Sequence, residues 1–361
     1  MRILITGGAG FIGQAVVAEL VSGQVNQPLA STDHLVVLDS LRADVHRDGG
    51  ASARDVLAGL GAELVVGDVR DAGAVTAALS GVDAVIHLAA KVGLGVGIDD
   101  MDDYVSSNNL GSAALLGAMA AADVGRFVQA SSMVVYGEGR YICPEHGLVW
   151  PLERTREALS HGHFEPSCPL CGKGLVPGLV TEDAAMDPRN TYAATKVAQE
   201  HLGAIWARET DGSAISLRLH NVYGPGMPRN TPYAGVASIF SSALDRGEAP
   251  RVFEDGGQRR DFVHVHDVAR AFVTALTATT ATDGRPVSHR AYNVGSGMVS
   301  TIMDLATAMS EPRQGPEPVV TGDFRLGDVR HITASSQRIL TELGWSATVS
   351  LTGGVAGLTF G

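Results

Sequence analysis

The chain has 361 residues, 45% hydrophobic and 18% charged, with a net charge of -12 and a pI near 5.4. That length buries a full core and suits one two-lobed domain or two domains, while the acidic balance argues against nucleic acid or an anionic membrane surface as a partner. No run reaches the ~18 apolar residues of a membrane span, and the strand-like start Arg2-Ile3-Leu4-Ile5-Thr6 leaves no room for a signal peptide, so a cytoplasmic protein is expected.

In chain order, short β-branched runs alternate with Ala-rich stretches of helical length, the pattern of βαβ units and a parallel sheet. Strands are expected at Arg2 to Thr6, Leu35 to Asp39, Glu63 to Val66, Ala84 to Leu88, Phe127 to Ala130 and Ile215 to Leu219. Helices are expected at Phe11 to Ser22, Ala74 to Leu79, Asn109 to Ala122, Tyr192 to Arg208 and Ala237 to Arg246. Between the first strand and helix, Thr6-Gly7-Gly8-Ala9-Gly10-Phe11-Ile12-Gly13 has the glycines that let a backbone approach a pyrophosphate at a helix N-terminus. The second strand ends at Asp39, whose carboxylate suits the adenosine ribose hydroxyls and repels a 2′-phosphate, favouring NAD over NADP. Asp39 lies 26 residues beyond Gly13, more than the usual spacing of about 20, and the connection Gly23 to His34 accounts for the excess. After the third strand, the Asp68 carboxylate of Gly67-Asp68-Val69 is placed for the adenine amino group, or is a solvated turn residue.

From Gly139 to Pro177 the βα rhythm stops, and no strand or long amphipathic helix is readable there. This stretch, taken as residues 140–178, reads as an insertion carrying all three cysteines. Cys143-Pro144-Glu145-His146-Gly147 and Cys168-Pro169-Leu170-Cys171-Gly172 repeat one design, two ligands two residues apart followed by Gly, and a Cys3His set fits structural, tetrahedral zinc. A redox Cys168/Cys171 pair is the rival, which leaves Cys143 and His146 unexplained, and His161 and His163 are poorer substitutes for His146. The insert is slightly acidic, with Arg154, Arg156 and Lys173 against Glu145, Glu153, Glu157 and Glu165, so it has no phosphate-binding face.

Tyr192 and Lys196, four apart, lie on one helix face. A phenol titrates near about 10 and acts as a base near neutrality only beside a cation, which Lys196 provides. Beyond Asn221, Gly and Pro punctuation marks a smaller lobe, giving an expected division into residues 1–220, a Rossmann-type NAD domain, and residues 221–361, mainly substrate-binding with segments returning to the first.

Eight ordered motifs, TGGAGFIG (6–13), HLAA (87–90), Asn108, SSMVVYG (131–137), YAATK (192–196), LRLHNVYGP (217–225), RRDFVHVHDVA (259–269) and RLGDVRH (325–331), resemble the extended short-chain dehydrogenase/reductase family, and within it the NAD-dependent nucleotide-sugar epimerases and dehydratases. The resemblance implies a doubly wound α/β fold, a homodimer, and an NAD site of Gly7, Gly10, Phe11, Ile12, Gly13, Asp39, Asp68, Val69, Leu88, Ala89, Ala90 and Asn108 with Tyr192 and Lys196. It implies Ser132 as the catalytic hydroxyl beside Tyr192 and Lys196, and Asn221, Arg260 and Arg325 as contacts to a nucleotide-diphosphate sugar. For each Arg the alternative is a structural ion pair.

Dehydratases resembling this chain carry an Asp-Glu pair just after the hydroxyl residue, and decarboxylases a Glu, whereas this chain has Met133 and Val134, which move no proton. Hydride transfer at one carbon without elimination is therefore expected: a 4-epimerase, with a 4-ketoreductase or dehydrogenase and a catalytically silent NAD-binding scaffold as alternatives. A subgroup acting on dTDP-linked 6-deoxyhexoses, including dTDP-L-rhamnose 4-epimerases, is similar in carrying a Cys-rich stretch before Thr181-Glu182-Asp183 and Tyr192-x-x-x-Lys196.

Overall fold

A computed structural model describes residues 1–22, 34–46, 48–93, 98–228, 235–278 and 288–358. The connection 23–33, invoked above for the Asp39 spacing, lies outside the described residues. The central sheet has seven parallel strands, numbered here in chain order: β1 Arg2–Thr6, β2 His34–Asp39, β3 Glu63–Val66, β4 Ala84–His87, β5 Arg126–Ser132, β6 Ser213–Leu219 and β7 His289–Val294. Their spatial order is β7-β6-β5-β4-β1-β2-β3. Ile3, Leu4, Ile5 and Thr6 of β1 are all fully buried, the continuous apolar run of a strand covered on both faces. The chain winds outward from β1 to β3, then crosses back to β4 on the other side of β1. That reversal opens a crevice beyond the carboxyl ends of β1 and β4, where open α/β sheets bind ligands.

Three elements differ from expectation. β5 runs on to Ser132, pairing in register with β6 as far as Ser132 opposite Leu219, and so carries the hydroxyl on the strand itself. The helix expected from Asn109 begins at Met101, passes through wide π turns over Val105–Leu110, and continues as α-helix over Gly111–Ala121. β7, not foreseen, pairs with β6, and the helix Val265–Thr277 packs against Phe11–Ser22, so both segments join the first core. A separate core gathers around Phe240, Phe262, Leu305 and Met309.

The insert contains strands after all, which is a correction. Arg140–Cys143 pairs antiparallel with both Gly147–Val149 and Val176–Gly178. Tyr141 and Cys143 point inward to a miniature core with Val149, Cys168 and Leu175, while Arg140 and Ile142 point out. Among the described residues no helix is long and apolar enough to cross a membrane.

Candidate active site

The crevice at the sheet reversal is a cavity of about 460 Å³, within the ~300–1,000 Å³ range of small-molecule sites. One end is the glycine-rich turn, where Gly7 has φ +71° and a Cβ would lie 2.6 Å from the Ala89 nitrogen. At Gly13 a Cβ would lie 2.4 Å from the Gly7 carbonyl oxygen. Backbone alone fills that space, so a pyrophosphate has close access to the first helix. Gly10, Phe11, Ile12, Asp39, Asp68, Val69 and the Leu88, Ala89, Ala90 strip also face the cavity.

Asp39 is fixed by its own turn: Oδ2 accepts from the Ala9 N–H at 3.1 Å and Oδ1 from the Leu41 N–H at 2.9 Å. The nearby Arg42 is committed to Asp44 and Asp103 through contacts of 3.0 to 3.3 Å, and among the described residues the group facing the Asp39 carboxylate is the His46 ring, 4.0 Å from Oδ1. The donor and acceptor set thus fits NAD, with its ribose diol, and opposes a 2′-phosphate. Asp68 holds the Arg70 guanidinium at 2.6 and 2.9 Å, and that partner keeps its carboxyl below the ordinary value.

At the other end, Ser132, Tyr192, Lys196 and Asn221 line the same cavity. Asn190 caps the helix Thr191–Glu209, accepting from the Ala193 N–H at 2.9 Å, and so sets the first turn that bears Tyr192. Lys196 Nζ donates to the Ala130 carbonyl at 2.9 Å and lies 5.8 Å from the Tyr192 ring centre. Burial pushes Tyr192 up to about 12, against a hydrogen bond from Ser132, and pulls Lys196 down to about 7. The phenol is therefore a poor acid alone.

Asn108 does not line the cavity; it sits behind, fully buried on the π turns. Its Oδ1 accepts from the Lys91 N–H at 2.7 Å, and its Nδ2 donates to the Lys91 carbonyl at 3.0 Å and to Thr195 Oγ1 at 2.9 Å. Thr195 in turn donates to the Tyr192 carbonyl. The strip after β4 is thereby tied to the turn that carries Tyr192 and Lys196.

Sequence reasoning missed several of these supports. His87 bridges Thr6 Oγ1 at 2.7 Å and Ser112 Oγ at 2.9 Å, and burial lowers it to about 3. Ser112 gives its own proton to the Asn108 carbonyl, so the network assigns the His87 proton to Nε2. Lys91 pairs with Asp100 and Asp103 under the Tyr104 ring. His220 is 4% exposed, and among the described residues neither of its ring nitrogens has a partner, nor does the buried Asn221 Oδ1.

Arg260 and Arg325 lie outside this cavity. Arg260 donates to the carbonyls of Arg259, Val329 and Arg330 at 2.8 to 2.9 Å, and Arg325 is exposed over the Phe253 ring at 5.3 Å. Burial raises the Asp328 carboxyl, against the charges of Arg325, Arg260 and Arg154.

In the insert, Cys143, His146, Cys168 and Cys171 converge, with ligand atoms all within 4.8 Å of one another. Cys143 Sγ lies 3.5 Å from His146 Nδ1 and 3.7 Å from Cys171 Sγ, and Cys168 Sγ lies 3.7 Å from His146 Nδ1. A tetrahedron with arms of ~2.3 Å to sulfur has edges of about 3.8 Å, whereas a disulfide needs ~2.05 Å. The spacing fits a four-ligand ion, and all three thiols are free. His161 and His163 are not in this group; His161 Nδ1 bonds the Glu157 carbonyl instead.

Comparison with known proteins agrees with this geometry. Residues 3–158 and 163–295 match the family described as NAD dependent epimerase/dehydratase. A dTDP-L-rhamnose 4-epimerase of Burkholderia thailandensis is 34% identical over 99% of this chain and 93% of its own. The UDP-glucose 4-epimerase of Thermus thermophilus, solved with NAD, superposes with a TM-score of 0.73 at 28% identity, covering 100% and 98% of the two chains. The dTDP-glucose 4,6-dehydratase DesIV of Streptomyces venezuelae, also solved with NAD, gives a TM-score of 0.75 at 27% identity, covering 99% and 95%.

Proposed function

The chain belongs to the NAD-dependent epimerase/dehydratase family, and from that premise we propose that it is a nucleotide-sugar 4-epimerase whose substrate is dTDP-L-rhamnose, inverted at C4 to dTDP-6-deoxy-L-talose. The observation that carries the reaction type is the two positions after Ser132. Met133 and Val134 form a 3-10 turn at the cavity end, and neither side chain moves a proton, so the eliminations of the dehydratase relatives have no second acid or base there. What supports the sugar is the relative at 34% identity over nearly the full chain, together with the Cys-rich insert.

In this reading Ser132 holds the C4 oxygen and Tyr192 takes its proton, with Lys196 keeping the phenolate charged. NAD held there would supply the hydride acceptor and then the hydride donor for C4, with no net redox. Gly7, Gly10 and Gly13 admit its pyrophosphate and Asp39 holds its ribose. Arg260 and Arg325 would anchor the nucleotide diphosphate, with Asn221 on the substrate, while the 4-keto sugar turns, so that the hydride would return to the opposite face of C4 and Tyr192 would give the proton back to the C4 oxygen. The Cys143, His146, Cys168 and Cys171 group holds a structural zinc, since four protein ligands leave no open position. The protein works in the cytoplasm as a homodimer.

The test is to incubate the purified protein with dTDP-L-rhamnose without added NADH and follow the sugar by NMR. Interconversion with dTDP-6-deoxy-L-talose is the expected result. Turnover that requires stoichiometric NADH gives the ketoreductase, and no turnover with bound NAD intact gives the silent scaffold.

A further inference from the structure

The insert is fastened to the smaller lobe by a charge network in which Arg154, Glu254, Arg330 and His331 are nearly buried while Glu165 and Asp255 are half exposed. Arg154, its side chain 5% exposed, donates to Glu254 Oε1 at 2.8 Å and to the Asp328 carbonyl at 2.6 Å. Glu165, three residues before Cys168, accepts from Arg330 Nε at 2.8 Å and meets His331 Nε2 at 2.8 Å. Burial alone raises Glu165, but the His331 and Arg330 partners hold it at about 2. Arg330, 1% exposed, closes the network through Glu254 and Asp255, both at 2.8 Å. Tyr141, two residues before Cys143, donates to Glu138 at 3.1 Å and accepts from the His331 N–H at 3.2 Å.

Apart from Arg154 to Glu254 and Tyr141 to Glu138, these bonds end on one stretch, Asp328 to His331. On its other side the Val329 and Arg330 carbonyls receive the Arg260 guanidinium. Of the five N–H donors of a guanidinium, three are thereby committed on Arg260, leaving the edge of Nε–H and one Nη2–H with no partner among the described residues. That edge matches two oxygens of a phosphate. Arg325 precedes Asp328 by three residues, so the aim of both arginines depends on where this stretch lies.

We propose that Arg154 and Glu165, presented by the Cys3His insert, are positioning residues for the nucleotide diphosphate, holding Asp328 to His331 so that Arg260 and Arg325 face it together. The proposal rests on the nucleotide-sugar reading above. The insert then works on substrate affinity, not on the dinucleotide site, whose Gly7 turn and Asp39 have no bond to this network.

The experiment measures dTDP binding by calorimetry on the NAD- and metal-containing protein, with kcat, KM and NAD content alongside. Arg154→Ala and Glu165→Ala are expected to weaken dTDP by about tenfold or more and raise KM similarly, with kcat at saturation changed less than about threefold and NAD content unchanged. Glu165→Gln, which keeps volume and one acceptor, covers the case of a poorly folding alanine variant and is expected to weaken dTDP by about threefold. Arg154→Lys, which keeps the charge but not the fork, is expected to recover only part of the loss. Parental dTDP affinity in folded Glu165→Gln and Arg154→Ala proteins overturns the proposal. A parent protein that binds neither dTDP nor UDP overturns the nucleotide-sugar reading, and the proposal with it.

Discussion

Glu200 and Arg218 meet as a two-point ion pair, at 2.9 and 2.7 Å, with each side chain 3% exposed. The Glu200 Oε1 also accepts from Ser131 at 2.5 Å, and Arg218 donates to Tyr136 Oη at 2.8 Å. Glu200 lies one helical turn beyond Lys196, and Ser131 is the neighbour of Ser132, so the pair fastens the helix that carries Tyr192 and Lys196 to the end of β5. Glu200→Ala strands a buried guanidinium and should cost about 3–5 kcal/mol, read from urea unfolding. A loss under about 1 kcal/mol would show that water or a neighbour replaces the carboxylate.

Tyr192→Phe removes the proton carrier while leaving the ring in place beside Tyr104. A fall in kcat of about 10²–10⁴-fold is expected, with NAD content and melting temperature close to the parent. A fall below tenfold would move the base elsewhere.

Acid stability should depend on two buried histidines. Burial lowers His87 and His220 from 6.5 to about 3, so the unfolded chain binds their protons first. Their contribution is present above pH 6.5 and is lost as the pH falls from there through about 3, each adding a slope of roughly 1.4 kcal/mol per pH unit. His220→Phe removes one of them together with two unpartnered nitrogens. Its unfolding free energy should vary less steeply between pH 6 and 4 than that of the parent, by about one proton. Equal slopes would contradict a neutral buried His220.

Metal analysis of protein purified without chelator should give about one zinc per chain. Less than about half an equivalent counts against the site. Cys168→Ser should lower that content and expose the insert to protease before it reduces bound NAD, because Cys168 is 2% exposed in the insert's own small core.

The parts legible in the sequence were those whose chemistry is local. The glycines of the first turn, Asp39, the Tyr192 and Lys196 pair and the four clustered ligands each announce themselves by spacing, and the structure places them as neighbours within their elements. The strands of the insert escaped notice because they have three or four residues each, too few for a period of two to stand out. β7 was hidden by its polar start, His289-Arg290, at the edge of the sheet beside β6. The Arg154 and Glu165 bonds reach partners 174 and 165 residues away, and Arg260 spends its guanidinium on carbonyls, which no residue pattern encodes.

The π turns at Val105–Leu110 impose a constraint on chain length. A π turn spends more residues per revolution than an α turn, so the helix downstream of it is out of phase with the helix upstream. Asn108 faces Lys91 and Thr195 while Tyr104 faces Gly93 only because that phase offset exists. Deleting a single residue there, whatever its type, restores α winding and changes which side chain stands opposite Lys91 and Thr195. In this stretch the number of residues is as much a functional specification as their identity.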